Sequence, residues 1–421
     1  MIPQKNSAIT GKIRYNIYGY YLKDKGAVMA IELEKRELRS YEVRKKKYKQ
    51  TILIVAIILA VILIAVAFFI VRNILHKDYN SFEVVQSFER KDSNAAKYIP
   101  YEGGLLRYSR DGVAALDSNG KQLWNGTYQM REPIVDICNK YVAVSDRGYK
   151  TIQIYDGNGK NYTHNVLLPI MNVKVAAQGV VAVLMDGGNA DELKLLTLEG
   201  ETIMEFRTIG EKNGYPLDIS LSKDGKKLVT SYAAFNAGSL QSNVTFYNFG
   251  SVGQNAQDRI VGAFGFGPTL VPDVEFITND IAAAFGDNKF SLYSIEQTSK
   301  LIYEENLTKE IKTVLHNEKY IGFIFNNSEG NDKYQLVLYD LQGKRILDKG
   351  INFEYDTAML SGDEIILYSN LDWRIIKTNG QEKFKYTFTN NISYIMPFNN
   401  ADKYLVIENQ KIDEVKLIES K

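Results

Sequence analysis

One uninterrupted apolar segment constrains this chain more than any other feature. Residues 51–71, TILIVAIILAVILIAVAFFIV, hold no charged residue and no polar residue after Thr51. As an α-helix the segment extends about 31 Å, which matches the hydrocarbon core of a bilayer. The sequence therefore predicts a transmembrane helix over residues 51–71, with a short basic segment before it and a long domain after it.

The charges on either side give this segment a direction. Residues 1–50 contain 13 Lys and Arg against 5 Asp and Glu, a net charge of +8, whereas the rest of the chain has 38 against 45, a net charge of −7. By the positive-inside rule, basic residues directly before the span place the N terminus in the cytoplasm. These topogenic residues are Arg44, Lys45, Lys46, Lys47 and Lys49. We expect a single-pass protein of the cell (plasma) membrane with an extracytoplasmic C-terminal domain, and topology explains the basic cluster better than nucleic-acid binding does.

A cleaved signal peptide is the alternative interpretation of the apolar segment. Residues 65–67, AVA, fit the small-residue pattern of a cleavage site. However, the apolar run continues through residues 68–71, and the 50 residues before the span are far longer than the basic region that begins a signal peptide. The sequence favours an uncleaved anchor.

The segment before the span is a basic tail. Residues 30–50 are rich in Glu, Lys, Arg and Leu and lack Gly and Pro, which predicts a short cytoplasmic helix. This helix either leads, solvated, into the membrane or docks a partner. Residues 1–22 are polar with scattered Tyr, and disorder and a docking segment both stay open for them. We therefore expect residues 1–50 to be a cytoplasmic tail that is partly helical.

The rest of the chain repeats a strand–turn–strand pattern. In each copy an apolar strand ends in a turn of Asp, Asn and Gly, and a more polar strand follows, as in VAALDSNGKQLWN and IQIYDGNGKNYTHN. Such turns supply the positive φ that a tight hairpin needs. The turn glycines lie about 40 residues apart, or at multiples of that spacing. They are Gly120, Gly159, Gly200, Gly343 and Gly380.

Two further strand-like runs belong to each repeat, so each contains about four short antiparallel strands. Four strands in every 40 or so residues, with no helical period between them, predict an all-β fold, the β-propeller of four-stranded blades. The repeats span 97–126, 132–166, 171–207, 216–264, 272–305, 311–349, 353–388 and 392–420.

The first and last repeats decide the number of blades. The first lacks a clear opening strand and the last lacks a clear closing strand. We expect residues 80–90, NSFEVVQSFER, to form the strand that completes the last blade, because an open ring would leave an unpaired sheet edge. The prediction is eight blades, or seven if the first repeat only donates a strand. Residues 72–96 then form a juxtamembrane linker that carries the ring-closing strand, and residues 97–421 form the extracytoplasmic propeller.

Residue types that carry catalysis are sparse. The three histidines, His76, His164 and His316, lie far apart, and no H-x-x-x-H or H-E-x-x-H motif exists, which disfavours a zinc hydrolase. Cys138 is the only cysteine, so no intramolecular disulfide can form, and we interpret it as a small buried strand residue. The sequence predicts no catalytic residue, no metal site and no cofactor.

Several other motifs have a structural interpretation. The D-x-N-G turns at Asp117 and Asp156 lack the closing Glu of a calcium loop, so we predict hairpin turns. We expect Trp124 and Trp373 to pack between strands rather than stack on sugars.

A glycine-rich stretch in the fourth repeat is the one candidate phosphate loop. Gly262, Gly265 and Gly267 are followed by Pro268 and open no helix, so we interpret the stretch as a turn. The fourth repeat is longer than the others, and its extension is either a long hairpin or a functional loop.

Two resemblances follow from these repeats. The units such as ALDSNGKQLWN resemble quinoprotein-like (PQQ-like) propeller repeats, although the chain lacks the vicinal cysteine pair of the quinoprotein dehydrogenases. The stretches Ser242–Gly262 and Val271–Asp287 look like an uncharacterised family of single-span envelope proteins of Gram-positive bacteria, domain of unknown function 5711. This resemblance implies a membrane-anchored propeller and lends no catalytic residue.

The sequence favours a non-catalytic binding or scaffolding propeller at the cell envelope, with an envelope protein or a wall glycan as its partner. One alternative is a transmembrane sensor that signals through the basic tail. Another is a propeller-based lyase or glycosidase, for which carboxylates should converge in the central funnel, whereas a funnel plugged by side chains would argue against it. The oligomeric state is open.

Overall fold

The computed structural model describes residues 8–75, 77–90, 92, 95–210, 214–236, 238–327, 331–398 and 400–419. The chain divides into two compact units, Met1–Lys77 and Asp78–Lys421.

The first unit contains the helix α1, Ala8–Leu75. The sequence predicted separate helices over 30–50 and 51–71. The structure corrects these boundaries, because one helix begins earlier, ends later and has no break between them. At 1.5 Å per residue it extends about 100 Å. Within the described residues it is the one helix that is long and apolar enough to cross a membrane, by length and composition, with the candidate stretch at Lys35–Phe68.

The second unit contains the described strands β1–β32. Sheets 1–6 each contain four consecutive antiparallel strands. Sheet 1 is β2 (Lys97–Tyr101), β3 (Gly104–Tyr108), β4 (Gly112–Leu116) and β5 (Gln122–Thr127). Sheet 2 is β6 (Pro133–Cys138), β7 (Tyr141–Asp146), β8 (Thr151–Tyr155) and β9 (Asn161–Asn165). Sheet 3 is β10 (Ile170–Val175), β11 (Val181–Met185), β12 (Ala190–Leu196) and β13 (Thr202–Ile209).

The next three sheets follow the same order. Sheet 4 is β14 (Tyr215–Leu221), β15 (Lys227–Asn236), β16 (Ser239–Asn248) and β17 (Ile260–Gly267), with 3₁₀ turns at Val252–Asn255 and Gln257–Arg259. Sheet 5 is β18 (Asp273–Phe276), β19 (Ile281–Phe285), β20 (Lys289–Ser294) and β21 (Lys300–Asn306). Sheet 6 is β22 (Ile311–His316), β23 (Tyr320–Asn326), β24 (Tyr334–Asp340) and β25 (Arg345–Ile351).

Sheet 7 has eight strands and contains the N-terminal strand of this unit. Its order is β26-β27-β28-β29-β1-β32-β31-β30. The strands are β1 (Tyr79–Glu89), β26 (Thr357–Ser361), β27 (Glu364–Tyr368), β28 (Asp372–Lys377), β29 (Glu382–Thr387), β30 (Ile392–Phe398), β31 (Asn400–Glu408) and β32 (Lys411–Glu419).

Strand β1 is inserted between two strands from the other end of the chain. It pairs with β32 in antiparallel register from Tyr79 opposite Glu419 to Glu89 opposite Lys411. It also meets β29 in parallel at Phe384. The first repeat, expected to lack an opening strand, has β2 in that place, so sheet 1 is complete.

Hydrophobic clusters join each set of four strands to the next. Within the described residues, sheets 1–6 share a cluster with each neighbour in chain order, and a further cluster joins sheet 6 to β27 and β28. Another lies between β27–β29 and β30–β32. The last contains Tyr98, Leu105 and Leu116 of sheet 1 with Phe398 and Ile407 of sheet 7. The series of cores therefore returns to its starting point.

The turn glycines predicted from the repeat lie at these junctions. Their φ angles are +73° to +89°, a region that glycine adopts without steric cost. Each packs against a side chain of the outer strand of the preceding set. A Cβ on Gly159, for example, would lie 2.4 Å from Cβ of Trp124. The pairs are Gly120 with Phe88, Gly159 with Trp124, Gly200 with His164, Gly343 with Tyr303, and Gly380 with Leu347. Because Phe88 belongs to β1, β1 occupies the outer-strand position before sheet 1.

Polar contacts reinforce the junction between β1 and sheet 1. The Arg90 guanidinium is buried and donates from Nε to Asp92 at 2.6 Å and from NH1 to the Glu408 carbonyl at 3.2 Å. The Tyr98 hydroxyl also donates to Asp92. The rings of Tyr98 and Tyr394 meet edge to face with their centroids 5.6 Å apart. These contacts join residues from both ends of the second unit.

The glycine-rich stretch of the fourth repeat is a strand and not the predicted turn. Gly262, Gly265 and Gly267 lie in β17. Gly262 packs against the turn of the next sheet, where a Cβ would lie 1.7 Å from Ser299 Oγ. At this junction the glycine lies on the outer strand and the side chain, Ser299, lies on the turn. At the other junctions the glycine lies on the turn and the side chain on the outer strand.

Candidate functional site

The first strand of each set of four lies nearest the centre. Contacts between first strands join β6 to β10, β10 to β14, β14 to β18, β22 to β26, and β30 to β2. Side chains that leave these strands toward the centre therefore converge.

A cavity of about 600 Å³ opens where five of the first strands end. Its wall is formed by β6, β10, β14, β18 and β22 and by the turns that follow them. The polar lining residues are Asp136, Cys138, Asn139, Lys174, Ser220, Lys223, Glu275, Thr278, Asn279, His316, Asn317 and Glu318. Cys138, predicted to be a buried strand residue, is half-buried and lines this cavity.

An ion pair crosses the interior. Lys174 Nζ on β10 lies 3.2 Å from Glu275 Oε2 on β18, so the pair passes the intervening strand β14. About a quarter of each side chain is exposed, 22% and 25%. The pair therefore lies across the space between the first strands, and both side chains line the cavity.

Carboxyl groups beside this pair bind the backbone of the neighbouring sheet. Asp136 on β6 accepts a hydrogen bond from Val175 N at 2.7 Å. Asp218 on β14 accepts one from Val274 N at 3.1 Å and one from Asn172 Nδ2 at 2.8 Å. Backbone N–H groups on the free edges of β10 and β18 thus donate to carboxyl groups of the preceding sheet. These carboxyl groups therefore have a structural role as well.

The surroundings shift the pKa values of these carboxyl groups upward. Burial raises the pKa of Asp136 and of Asp273, and it raises the pKa of Asp218 to about 6. A raised pKa means that the folded chain holds the proton more tightly than the unfolded chain does. The contribution of Asp218 to stability is therefore present below about pH 4 and is lost as the pH rises through about 6.

The pKa values of the two basic groups of the site, Lys174 and His316, shift in opposite directions. Burial alone would lower the pKa of Lys174, but Glu275, Asp136 and Asp218 outweigh it, so the pKa of Lys174 is raised and its ammonium stays charged. Burial lowers the pKa of His316. The lowered pKa favours the uncharged imidazole of His316, whose side chain lines the cavity.

The turns around the cavity are bound to one another. Gln178 Nε2 donates to the Asp224 carbonyl at 2.6 Å, and Asp224 N donates to Asn279 Oδ1 at 3.0 Å. Lys223 Nζ lies 3.5 Å from Glu318 Oε1. These contacts join sheets 3 to 6 at the rim, so the opening is held in one shape.

The residues predicted to direct membrane insertion lie exposed on α1. They are Arg44, Lys45, Lys46, Lys47 and Lys49. Within the described part of the chain, no group of three or more His, Cys, Asp or Glu side chains is arranged to hold a metal ion.

The remaining candidate residues have structural contacts. His76 lies outside the described residues. His164 Nε2 is 2.8 Å from the Leu198 carbonyl. The indoles of Trp124 and Trp373 are buried in clusters between sets of strands, which confirms the packing prediction.

The two D-x-N-G motifs are hairpin turns, as predicted. Asp117 Oδ1 accepts from Asn119 N at 2.8 Å and from Lys121 N at 2.9 Å, and Asp156 makes the same two contacts in the next repeat. In both turns the Asp side chain therefore closes the hairpin through its own backbone amides.

The sequence prediction missed the residues that line the cavity, although a signal for them exists. The charged residues nearest the centre lie in the strands that open the repeats, where a charged residue interrupts apolar residues, as in PIVDIC, IMNVKV and PLDISL. Strand alternation places such residues on one face. Only the ring geometry shows that this face points to the centre.

Comparison with families of known sequence gives one clear match. A family model described as "Family of unknown function (DUF5711)" matches residues 75–417. A search of the curated proteins found no match.

Solved structures resemble the fold. BamB from Moraxella catarrhalis is 12% identical with a TM-score of 0.50, and the match covers 80% of this chain and 98% of that one. Sqt1 from Chaetomium thermophilum is 8% identical with a TM-score of 0.51, covering 81% of this chain and 100% of that one. At such low identity the likeness shows the fold alone, a β-propeller.

Proposed function

This chain belongs to DUF5711, a family of unknown function, and on that premise we propose that it is a membrane-anchored, extracytoplasmic β-propeller that binds a partner without catalysing a reaction. The partner is an envelope protein or a wall glycan. The span of α1 anchors the chain in the cell membrane, with residues 1–50 in the cytoplasm.

The observation that supports a binding role is that the central carboxyl groups are already engaged by other groups of the protein. The Lys174–Glu275 ion pair crosses the centre, and Asp136 and Asp218 already bind backbone amides of the next sheet. A general acid or base must be free to reach the substrate proton. Asp136, Lys174 and Glu275 instead line a cavity whose surrounding turns are hydrogen-bonded to one another, which suits binding. Turnover of a defined substrate that is abolished by one substitution in this unit would contradict the proposal.

We also propose that the ring has eight blades. Sheet 7 then counts as two blades, β26–β29 and β30–β32 with β1. The clusters of buried residues support this count, because each joins one set of four strands to the next and the last returns to sheet 1.

The proposed topology predicts which positions a membrane-impermeant maleimide can reach in intact cells. In a Cys138→Ala background, Asp287→Cys lies on an exposed loop of the second unit and should be labelled. Ser40→Cys, exposed on α1 before the span, should be labelled only after the cells are permeabilised. The reverse pattern would contradict the topology.

The topogenic residues provide a matched comparison. Replacing all five residues Arg44, Lys45, Lys46, Lys47 and Lys49 with Gln should sharply reduce labelling of Asp287→Cys, because the charge bias near the span sets its orientation. Replacing the five distal residues Lys5, Lys12, Arg14, Lys23 and Lys25 should leave labelling unchanged, because they lie more than about 20 residues from the span.

A transmembrane sensor is a second candidate, which one observation favours. The helix α1 continues without a break from Ala8 to Leu75, so a displacement at one end of the span is carried to the other. If an unrelated basic sequence replaces residues 1–50 and the cell shows no change, the sensor role fails and the binding role stands.

A further inference from the structure

The central cavity has the dimensions of a small-molecule site. Its volume of about 600 Å³ lies within the range of ligand pockets in proteins. The rim contacts between turns hold the opening, so a ligand would meet a preformed site rather than order one.

The charge around the cavity is unbalanced. The carboxyl groups of Asp136, Asp218, Asp273 and Glu275 surround the single ammonium of Lys174. Among the described residues, the Lys174–Glu275 contact is the one ion pair that any of these four carboxyl groups makes. The four carboxyl groups therefore share the ammonium of Lys174, whose charge acts on Asp136, Asp218 and Asp273 as well as on Glu275.

The other basic groups of the site do not restore the balance. Lys223 lies at the rim and pairs with Glu318. His316 lines the cavity, and its lowered pKa disfavours a second positive charge there. Its ring lies beside Phe285, with the centroids 6.1 Å apart.

Several carboxylates that share a single ammonium are costly to keep ionised, and a cationic ligand can reduce that cost. Asp136 is half-buried and lines the cavity, and it accepts a hydrogen bond from one backbone amide of the next sheet. A ligand ammonium would supply further charge-assisted hydrogen bonds to Asp136 and Glu275 beside Lys174, and an uncharged His316 would add no repulsion. A ligand carboxylate would meet the same groups with like charge.

We propose that the cavity binds a small ligand through an ammonium group that lies between Asp136 and Glu275. This inference rests on the proposed binding role and names the class of ligand.

Cys138 provides a reporter for occupancy, because it lines the cavity and the chain has no other cysteine. The rate at which iodoacetamide alkylates Cys138 is measured by intact mass on the full chain in detergent micelles at pH 8.5. Three probes of matched length are compared, namely 1,5-diaminopentane, 1,5-pentanediol and glutarate. The diamine should slow alkylation about fivefold or more, with saturation, whereas the diol and the dianion should change the rate less than about twofold.

Two variants and a control locate the effect. Asp136→Asn keeps an acceptor for Val175 N but removes the charge, and it should weaken protection by the diamine about tenfold. His316→Lys adds an ammonium to the cavity from another strand and should abolish protection. Glu304→Gln removes a carboxyl on the outer strand β21 and should leave protection unchanged.

Calorimetry with the same three probes measures the affinities directly. Equal protection by all three probes, no protection by the diamine, or diamine protection that survives in both Asp136→Asn and His316→Lys would overturn the proposal. The maleimide labelling pattern does not depend on the cavity. Failure of the ammonium site is therefore distinguishable from failure of the proposed anchoring and orientation.

Discussion

Deletion of residues 78–90 is expected to abolish the cooperative unfolding transition of the second unit. Strand β1 supplies Tyr79, Phe82 and Phe88 to two hydrophobic clusters. Full burial of one such ring contributes about 1.5–3 kcal/mol, so the three together contribute at most about 9 kcal/mol, and less here because Phe82 and Phe88 are partly buried. That sum is comparable to the whole stability of a folded domain, about 5–15 kcal/mol. The deletion would also leave β32 as an unpaired edge, which favours aggregation.

Thermal unfolding followed by circular dichroism at β-sheet wavelengths measures this effect. The control is a deletion of equal length, residues 30–42 of α1, which should leave the transition of the second unit unchanged. A synthetic peptide of residues 78–90 should restore part of the transition to the deleted chain, because strand β1 pairs along its whole length with β32. A deleted chain that melts within a few degrees of the intact chain would show that β1 is dispensable.

Substitution of a turn glycine at a blade junction is expected to cost more than the same substitution elsewhere. Gly159 and Gly148 have φ angles of +80° and +79°, so Ala strains both backbones equally, by about 1–2 kcal/mol. A Cβ on Gly159 would clash with Cβ and Cγ of Trp124, whereas nothing lies within 4 Å of a Cβ on Gly148. Gly159→Ala should therefore cost about 1–3 kcal/mol more than Gly148→Ala.

Chemical denaturation of the two variants measures this difference with the backbone effect cancelled. The slope of unfolding free energy against denaturant should match between them, since both unfold the same surface. Equal destabilisation by Gly159→Ala and Gly148→Ala would mean that the Gly159–Trp124 contact does not hold adjacent blades together.

Local sequence patterns predicted much of this fold because the repeat is local. Each hairpin carries its own turn glycine and its own alternation, so the boundaries of a unit such as 311–349 lie close to those of sheet 6, Ile311–Ile351. The strand at 80–90 was predicted by a global argument, that a ring should leave no free edge. Its partner strand, β32, lies more than 300 residues away, so no local sequence pattern indicates which residues pair.

The candidate site was less predictable, because its residues are far apart in the sequence and meet only in the folded ring. Asp136, Lys174 and Glu275 lie in different repeats, and nothing in the sequence indicates that three strands converge on one point. The stretch with Gly262, Gly265 and Gly267 was predicted to be a turn because it is rich in glycine and is followed by Pro268, yet it lies in β17, where Gly262 makes room for Ser299 of the next turn. The helix boundaries were misplaced because charge and hydropathy change at residue 50 while the helical backbone continues.

The central claim is that the N-terminal strand of the second unit closes the ring against its C-terminal strand, and a cross-strand disulfide tests it most directly. Ser87 lies opposite Asp413, with Ser87 Oγ 2.6 Å from Asp413 Oδ1. In a Cys138→Ala background, Ser87→Cys with Asp413→Cys should oxidise to an intramolecular disulfide, detected by mass spectrometry. Ser87→Cys with Glu201→Cys, in the turn before β13 of sheet 3, should stay reduced. A failure of the first pair to crosslink within one chain, or equal crosslinking of both pairs, would contradict closure by this strand.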